Sequence, residues 1–168
     1  MDDSTQLQQV FRALEDISRM DDLPLIFPVH PRTRAKLGDS TNAGIKLLEP
    51  LGYTDFVALM SRAAFVFTDS GGVQEETTAL GVPCLTLRNN TERPITVEQG
   101  TNRLAGTSYE TILKTWKDLK QNPPSGRIPA LWDGKAAFRC VDAILNALSS
   151  GKQTRPAERA LNTAARRP

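Results

Sequence analysis

Short apolar runs alternating with stretches of helical spacing constrain this chain more than any other feature. The runs are LIFPV at 25–29, IKLL at 45–48, AFVFT at 64–68 and PCLTL at 83–87. Each has the length of a strand, and a strand that is apolar along its whole length is one covered on both faces. The intervening segments agree. EPLGYTDFVALMSRA, after the second run, has helical spacing at Phe56, Leu59, Met60 and Ala63. The chain opens with another helix over 4–20, where Leu7, Val10, Phe11, Leu14 and Ile17 recur at three and four behind a Ser/Thr cap. Further helices are predicted at 108–120, on Ile112, Leu113, Trp116 and Leu119, and at 134–148, on Phe138, Val141, Ile144, Leu145 and Leu148, joined by the Pro/Gly-rich QNPPSGRIPALWDG. The pattern predicts an α/β fold, a parallel sheet of βαβ units with helices on both faces.

Periodicity fades after Ser149, so one domain over 1–149 and a flexible basic tail over 150–168 are expected. The tail sets Lys152, Arg155, Arg159, Arg166 and Arg167 against Glu158, so the formal +2 of the chain comes from the tail and 1–150 carry a net −2. That distribution argues against a nucleic-acid-binding body. With 39% hydrophobic and 24% charged residues the composition is that of a globular domain. No apolar run approaches the roughly 20 residues of a membrane span, and MDDSTQLQQ lacks the features of a signal peptide, so no membrane partner and a cytoplasmic location are expected. Cys84 and Cys140 are far apart in the sequence and the single histidine, His30, has no partner at ligand spacing. This speaks against a metal site, and both cysteines are expected as buried reduced thiols.

In an open parallel sheet, ligands bind beyond the carboxyl ends of the strands. His30, Pro31 and Arg32 follow the first run, Glu49, Pro50 and Leu51 the second, Asp69, Ser70, Gly71 and Gly72 the third, and RNNTER at 88–93 the fourth. Strand ends so furnished would converge on one crevice. The strongest of them is TDSGGVQEE at 68–76, read as strand, Ser-Gly-Gly and a helix running to about Leu80. Two glycines let phosphates approach the backbone, and the N–H groups of a first helical turn attract negative charge, so a diphosphate is the natural occupant. Glu76, about a turn and a half further on, is placed to accept hydrogen bonds from sugar hydroxyls. The spacing differs from both the Walker loop and G-x-G-x-x-G, which removes support for ATP hydrolysis and dinucleotide redox chemistry. A D-S-G-G turn is equally read as an Asp/Ser-capped helix. In RNNTERP at 88–94, the arginines and the carboxylate either clamp a phosphate or lock the loop by an internal ion pair.

FPVHPRT (27–33), DSGGVQEE (69–76), LGVPCLTLRNNTERP (80–94), the Gln-Gly-Thr-Asn stretch at 99–102 and the Gly106 turn resemble the carboxyl-terminal half of a non-hydrolysing UDP-N-acetylglucosamine 2-epimerase, in register over about 1–148. The resemblance implies a Rossmann-like domain, the nucleotide-holding half of a fold of the GT-B type. It implies that Ser70, Gly71 and Gly72 contact the UDP diphosphate, Glu76 the ribose, Arg93 the phosphate–sugar region, and Phe56 with the Leu51 backbone the uracil; members often carry Gln at the position of Leu51. His30 matches the histidine of the family's P-V-H motif, near a second, regulatory UDP-GlcNAc in some bacterial members, although a lone histidine equally packs or caps. No cofactor is implied. Full-length members are expected as homodimers.

The family reaction inverts C2 of the sugar by anti-elimination of UDP to a 2-acetamidoglucal and re-addition of UDP. The acids that move the C2 proton belong to the family's amino-terminal domain, so no catalytic residue is assigned in this chain. The family's carboxyl-terminal domain also begins with a strand ending in a His-Arg-x-Glu-Asn loop, which precedes the helix at 4–20. The chain is therefore expected to be a fragment with its first strand missing and to be inactive without the amino-terminal domain. With strand order 3-2-1-4-5-6 the missing strand is central, and the runs 25–29 and 64–68 should flank it. A gap, a collapsed pairing of those two runs, or a strand from another chain is expected. Two other functional readings stay open, a stand-alone UDP-GlcNAc-binding module and half of a hydrolysing epimerase or glycosyltransferase. NNTERP and DSGGVQEE favour the non-hydrolysing group over the latter.

Overall fold

A computed structural model of the chain describes residues 4–30, 33–34 and 44–151. The elements run α1 (Ser4–Asp21), β1 (Leu25–Pro28), β2 (Ile45–Leu48), α2 (Tyr53–Met60), β3 (Val66–Thr68), α3 (Gly71–Leu80), β4 (Cys84–Thr86), α4 (Pro94–Glu98), β5 (Asn102–Leu104), α5 (Tyr109–Gln121) and α6 (Ala136–Gly151). Pro31, Arg32 and the basic segment after Gly151 lie outside the described residues.

All strand pairs are parallel, as the apolar runs predict. Leu25 to Pro28 pair in step with Ile45 to Leu48, and β3, β4 and β5 form a second sheet in that order, with Cys84 between Val66 and Asn102. β4 is central there and all three of its residues are buried. Among the described residues no strand pairing joins β1 to β3. A break between a β1–β2 sheet and a β3–β4–β5 sheet is the gap expected of a 3-2-1-4-5-6 order without its central strand.

The opening helix spans the two sheets. Phe11 of α1 meets Phe27 of β1 at 5.7 Å between ring centroids. Val10, Ala13 and Ile17, one face of the same helix, are buried with Leu85, Leu87, Ala105, Ile112, Trp116 and Leu119. α1 therefore packs on α5, fastened at its edge by Tyr109 Oη donating to Asp16 Oδ2 at 2.7 Å and by a Lys120–Asp21 ion pair. Trp116 stacks edge-on against Phe65 at 4.3 Å and lies 5.7 Å from Phe67. Those phenylalanines are two apart, hence on one face of the sheet.

Two glycines fix turns that position the site. Gly81 ends α3 in the left-handed region at φ 72°, where a residue without Cβ pays no steric penalty. At Gly100 a Cβ would lie 2.5 Å from Thr78 Oγ1 and 2.6 Å from the Thr96 carbonyl, so only glycine lets α3 and α4 close on the strand β5.

The carboxyl-terminal helix stands by itself, and one expectation fails on it. The compact unit that begins the chain ends at Pro129, and Ala130 starts a second one containing α6. The apolar stripe of α6, Phe138, Val141, Ile144, Leu145 and Leu148, is more than half exposed at every position. Cys140 on the same helix is exposed, not buried, because the helix lacks a covering layer on its apolar side among the described residues. Cys84 is buried as expected; burial raises its thiol to about 11, partly offset by hydrogen bonds with Thr77 and Thr86, so it is a neutral packing group at physiological pH. Among the described residues no helix is long and apolar enough to cross a membrane.

Candidate functional site

Because β3, β4 and β5 are parallel, their carboxyl ends share one edge, and the loops 69–70, 87–93 and 105–108 leave from it. α3 starts directly after β3. Ser70 is its N-cap, with extended backbone at φ −85° and ψ 128°, but the Ser70 side chain makes no capping hydrogen bond. The turn is held instead by Ser70 N–H donating to Thr68 Oγ1 at 3.0 Å. Ser70 therefore caps by backbone position alone, and its hydroxyl leaves the first-turn N–H groups of α3 uncapped.

A second positive group stands at the same point. The Arg93 side chain lies over Gly71, its Cγ 3.8 Å and its Cζ and Nε 4.0 Å from where a Gly71 Cβ would be. Its Nε is 2.9 Å from Glu75 Oε1. That approach is off the N–H direction, an electrostatic contact that leaves Nε–H without a hydrogen-bond acceptor among the described residues. Helix N–H groups and a guanidinium, the latter paired with the Glu75 carboxylate, thus stand together at the start of α3. Glu76, half-buried on α3, accepts no hydrogen bond among the described residues. Arg88 takes the other role proposed for this loop: it stands 3.7 Å from Glu92 and ties the loop to itself.

The remaining predicted residues follow β1 and β2 in the chain. The His30 carbonyl, just after β1, accepts the Thr33 and Arg34 N–H groups at 2.8 and 3.0 Å, and its side chain is exposed. Arg34 then reaches Glu49 at the end of β2, at 2.8 Å. Leu51 is exposed before α2, and Phe56 is half-buried on α2, its N–H bonded to the Gly52 carbonyl. No hydrogen bond or ion pair among the described residues connects α2 with α3. The structure thus brings Arg93 to Gly71, leaves His30 and Leu51 after the ends of β1 and β2, and carries Phe56 on α2.

Behind Arg93 lies a set of residues that sequence reasoning missed: Gln74, Thr86, Thr96 and Asn102, each buried, with Thr91 half-buried beside them. A signal was present. The inward face of α3 carries Gln74, Thr77 and Thr78 at helical spacing, so this helix turns polar groups, not leucines, toward its sheet.

Residues 1–145 match the model of a protein family described as UDP-N-acetylglucosamine 2-epimerase. The curated protein of that name from Methanocaldococcus jannaschii is 39% identical over 148 residues, which cover 84% of this chain and 40% of the relative. That from Bacillus subtilis is 38% identical over 151 residues, 83% of this chain and 39% of the relative. The chain therefore spans about 40% of the length of the curated relatives it matches. The crystal structure of the Methanocaldococcus jannaschii UDP-GlcNAc 2-epimerase in complex with UDP-GlcNAc and UDP aligns at a TM-score of 0.76 and 37% identity, over 86% of this chain and 42% of that one.

Proposed function

We propose, for a chain that belongs to the UDP-N-acetylglucosamine 2-epimerase family, that it is the UDP-sugar-binding half of an enzyme interconverting UDP-GlcNAc and UDP-ManNAc. The observation that carries this reading is the Ser70-Gly71-Gly72 helix start with the Arg93 guanidinium over Gly71. In the proposed complex the diphosphate rests on the first-turn N–H groups, Arg93 bears on the phosphate–sugar region, and Glu76 accepts from the ribose hydroxyls. Phe56 and the Leu51 backbone hold uracil, and His30 lies toward a second nucleotide-sugar. Breaking the anomeric C–O bond sends both bonding electrons to the leaving diphosphate, and the helix start and Arg93 stabilise that developing charge. The C2 proton is moved by acids of an amino-terminal domain, the proposed partner of this half, and the full-length enzyme is proposed as a cytoplasmic homodimer. The uncovered stripe of α6 and the break between the sheets support a partner of that kind.

Titration calorimetry of this chain with UDP tests the site. A Gly71 Cβ would meet only the flexible Arg93 side chain, at 3.8 Å and beyond, so Gly71→Val is expected to fill the space over the helix start and abolish UDP binding, with circular dichroism checking that the fold is kept. Glu76→Ala weakens UDP by about 1–3 kcal/mol, the range for hydrogen bonds to a charged group. Unchanged affinity in both variants overturns the assignment. A second experiment addresses turnover: in deuterated water the chain alone is expected to leave C2 of UDP-GlcNAc unlabelled by NMR. Deuterium at C2 would show that the acid and base lie within these 168 residues.

A further inference from the structure

Arg93 is anchored through its backbone on both sides. Its N–H donates to Thr91 Oγ1 at 2.9 Å, and its carbonyl accepts from Thr96 Oγ1 at 2.7 Å. Each threonine is in turn fixed by a buried amide. Thr91 Oγ1 donates to Gln74 Oε1 at 2.6 Å, and Asn102 Nδ2 donates to Thr96 Oγ1 at 3.1 Å and to the same Gln74 Oε1 at 3.2 Å. Asn102 Oδ1 accepts from Thr86 Oγ1 at 2.7 Å, which ties the pair into β4. Gln74 and Asn102 are 0% and 2% exposed. Glu75, the next residue on α3, meets the Arg93 side chain, so one turn of helix governs both the backbone and the guanidinium of the same arginine.

From this chain of bonds we infer that Thr91, backed by the Gln74–Asn102 pair, is a positioning residue that sets Arg93 over the start of α3 before a ligand arrives, and that it thereby makes the site select phosphorylated nucleosides over bare ones. The inference rests on the UDP site proposed above. An arginine on an unpinned loop must be ordered when the phosphate binds, and that ordering is subtracted from affinity; an arginine already held gives up little. Uridine has no group for Arg93 to meet, so a defect in its placement is invisible to uridine and visible to UDP.

The test compares UDP and uridine binding to the 168-residue chain by calorimetry in Thr91→Val, Thr91→Ser, Arg93→Ala and the Thr91→Val/Arg93→Ala double variant. Thr91→Val keeps the shape and removes the hydroxyl; it is expected to weaken UDP about ten-fold, the scale of a charge-assisted contact, and to leave uridine within about two-fold. Thr91→Ser restores the parent affinity for UDP. In the Arg93→Ala background Thr91→Val adds nothing, because its effect passes through that side chain. A loss for UDP and uridine alike, an equal loss with and without the Arg93 side chain, or no loss in Thr91→Val overturns the inference while the site reading stands. Absence of UDP binding by the parent chain overturns the site reading and the inference with it.

Discussion

Extending the chain at its amino terminus by one strand able to pair with both β1 and β3 is expected to raise the cooperative melting temperature by about 10 °C or more. Among the described residues β1 is hydrogen-bonded only to β2, and β3 only to β4. Each therefore presents one row of backbone N–H and C=O groups with no partner strand among the described residues, and α1 bridges the sheets on that flank, through Phe11 on one side and Val10, Ala13 and Ile17 on the other. A strand in the gap would gain on the order of six hydrogen bonds at roughly 0.5–1.5 kcal/mol each. It would also cover apolar surface such as Ile26, which is 41% exposed on β1. Ordering the added residues costs about 1–2 kcal/mol apiece in backbone entropy, roughly what the hydrogen bonds return, so the net gain of a few kcal/mol comes from the strand's own apolar side chains, at about 1.5–3 kcal/mol for each one buried. At roughly 2–4 °C per kcal/mol for a domain of this size, that gives the stated shift. Differential scanning calorimetry of the two chains side by side reads it directly. Equal melting temperatures would mean that β1 and β3 do not border a common strand position.

The second large effect is at Trp116. It is 2% exposed on α5, meets Phe65 and Phe67 across the sheet, and belongs to the cluster that joins α1, β4 and α5. Trp116→Ala removes the group common to all of these and leaves a cavity lined by aromatic rings, at a cost of about 3–5 kcal/mol. Typical net stability is about 5–15 kcal/mol, and a sheet broken in two places this chain toward the low end. Urea denaturation followed by far-ultraviolet circular dichroism is expected to show a folded baseline lost or nearly lost in Trp116→Ala. Trp116→Phe should retain most of the cooperative transition, since it keeps a ring against Phe65. A midpoint in Trp116→Ala within error of the parent would show that the cluster does not hold the fold together.

Sequence and structure agree where the signal is local. The spacing of Val10, Ile17, Ile112, Trp116 and Leu119 placed two helices and the residues they bury, because helical periodicity is a property of neighbours three and four apart. The apolar runs placed β1 to β4 and their parallel sense. DSGGVQEE placed the start of α3, since glycines after a strand have few other uses there. β5 was not legible: Asn102, Arg103 and Leu104 contain no apolar run, and they form a strand only because β4 offers them an edge. α4 was missed for a similar reason, being five residues long and fixed by its neighbours.

The sequence by itself determined the α/β class, the parallel order within each βα unit, the helix start at Ser70 and the family to which such motifs belong. Tertiary structure alone decided the rest. It divided the arginines of RNNTERP, sending Arg93 to Gly71 and Arg88 to Glu92, because which of two cations reaches a helix start depends on loop geometry set 17 residues away, where Thr91 bonds to Gln74. It left the Ser70 hydroxyl out of the cap. It left the apolar stripe of α6 uncovered, although the same periodicity in α5 is buried, since a pattern specifies that a face is apolar and not what covers it. Local spacing fixes the conformation of a segment, whereas the partner of each polar or apolar group is a contact between residues distant in sequence, and only the folded chain chooses among the partners that the sequence permits.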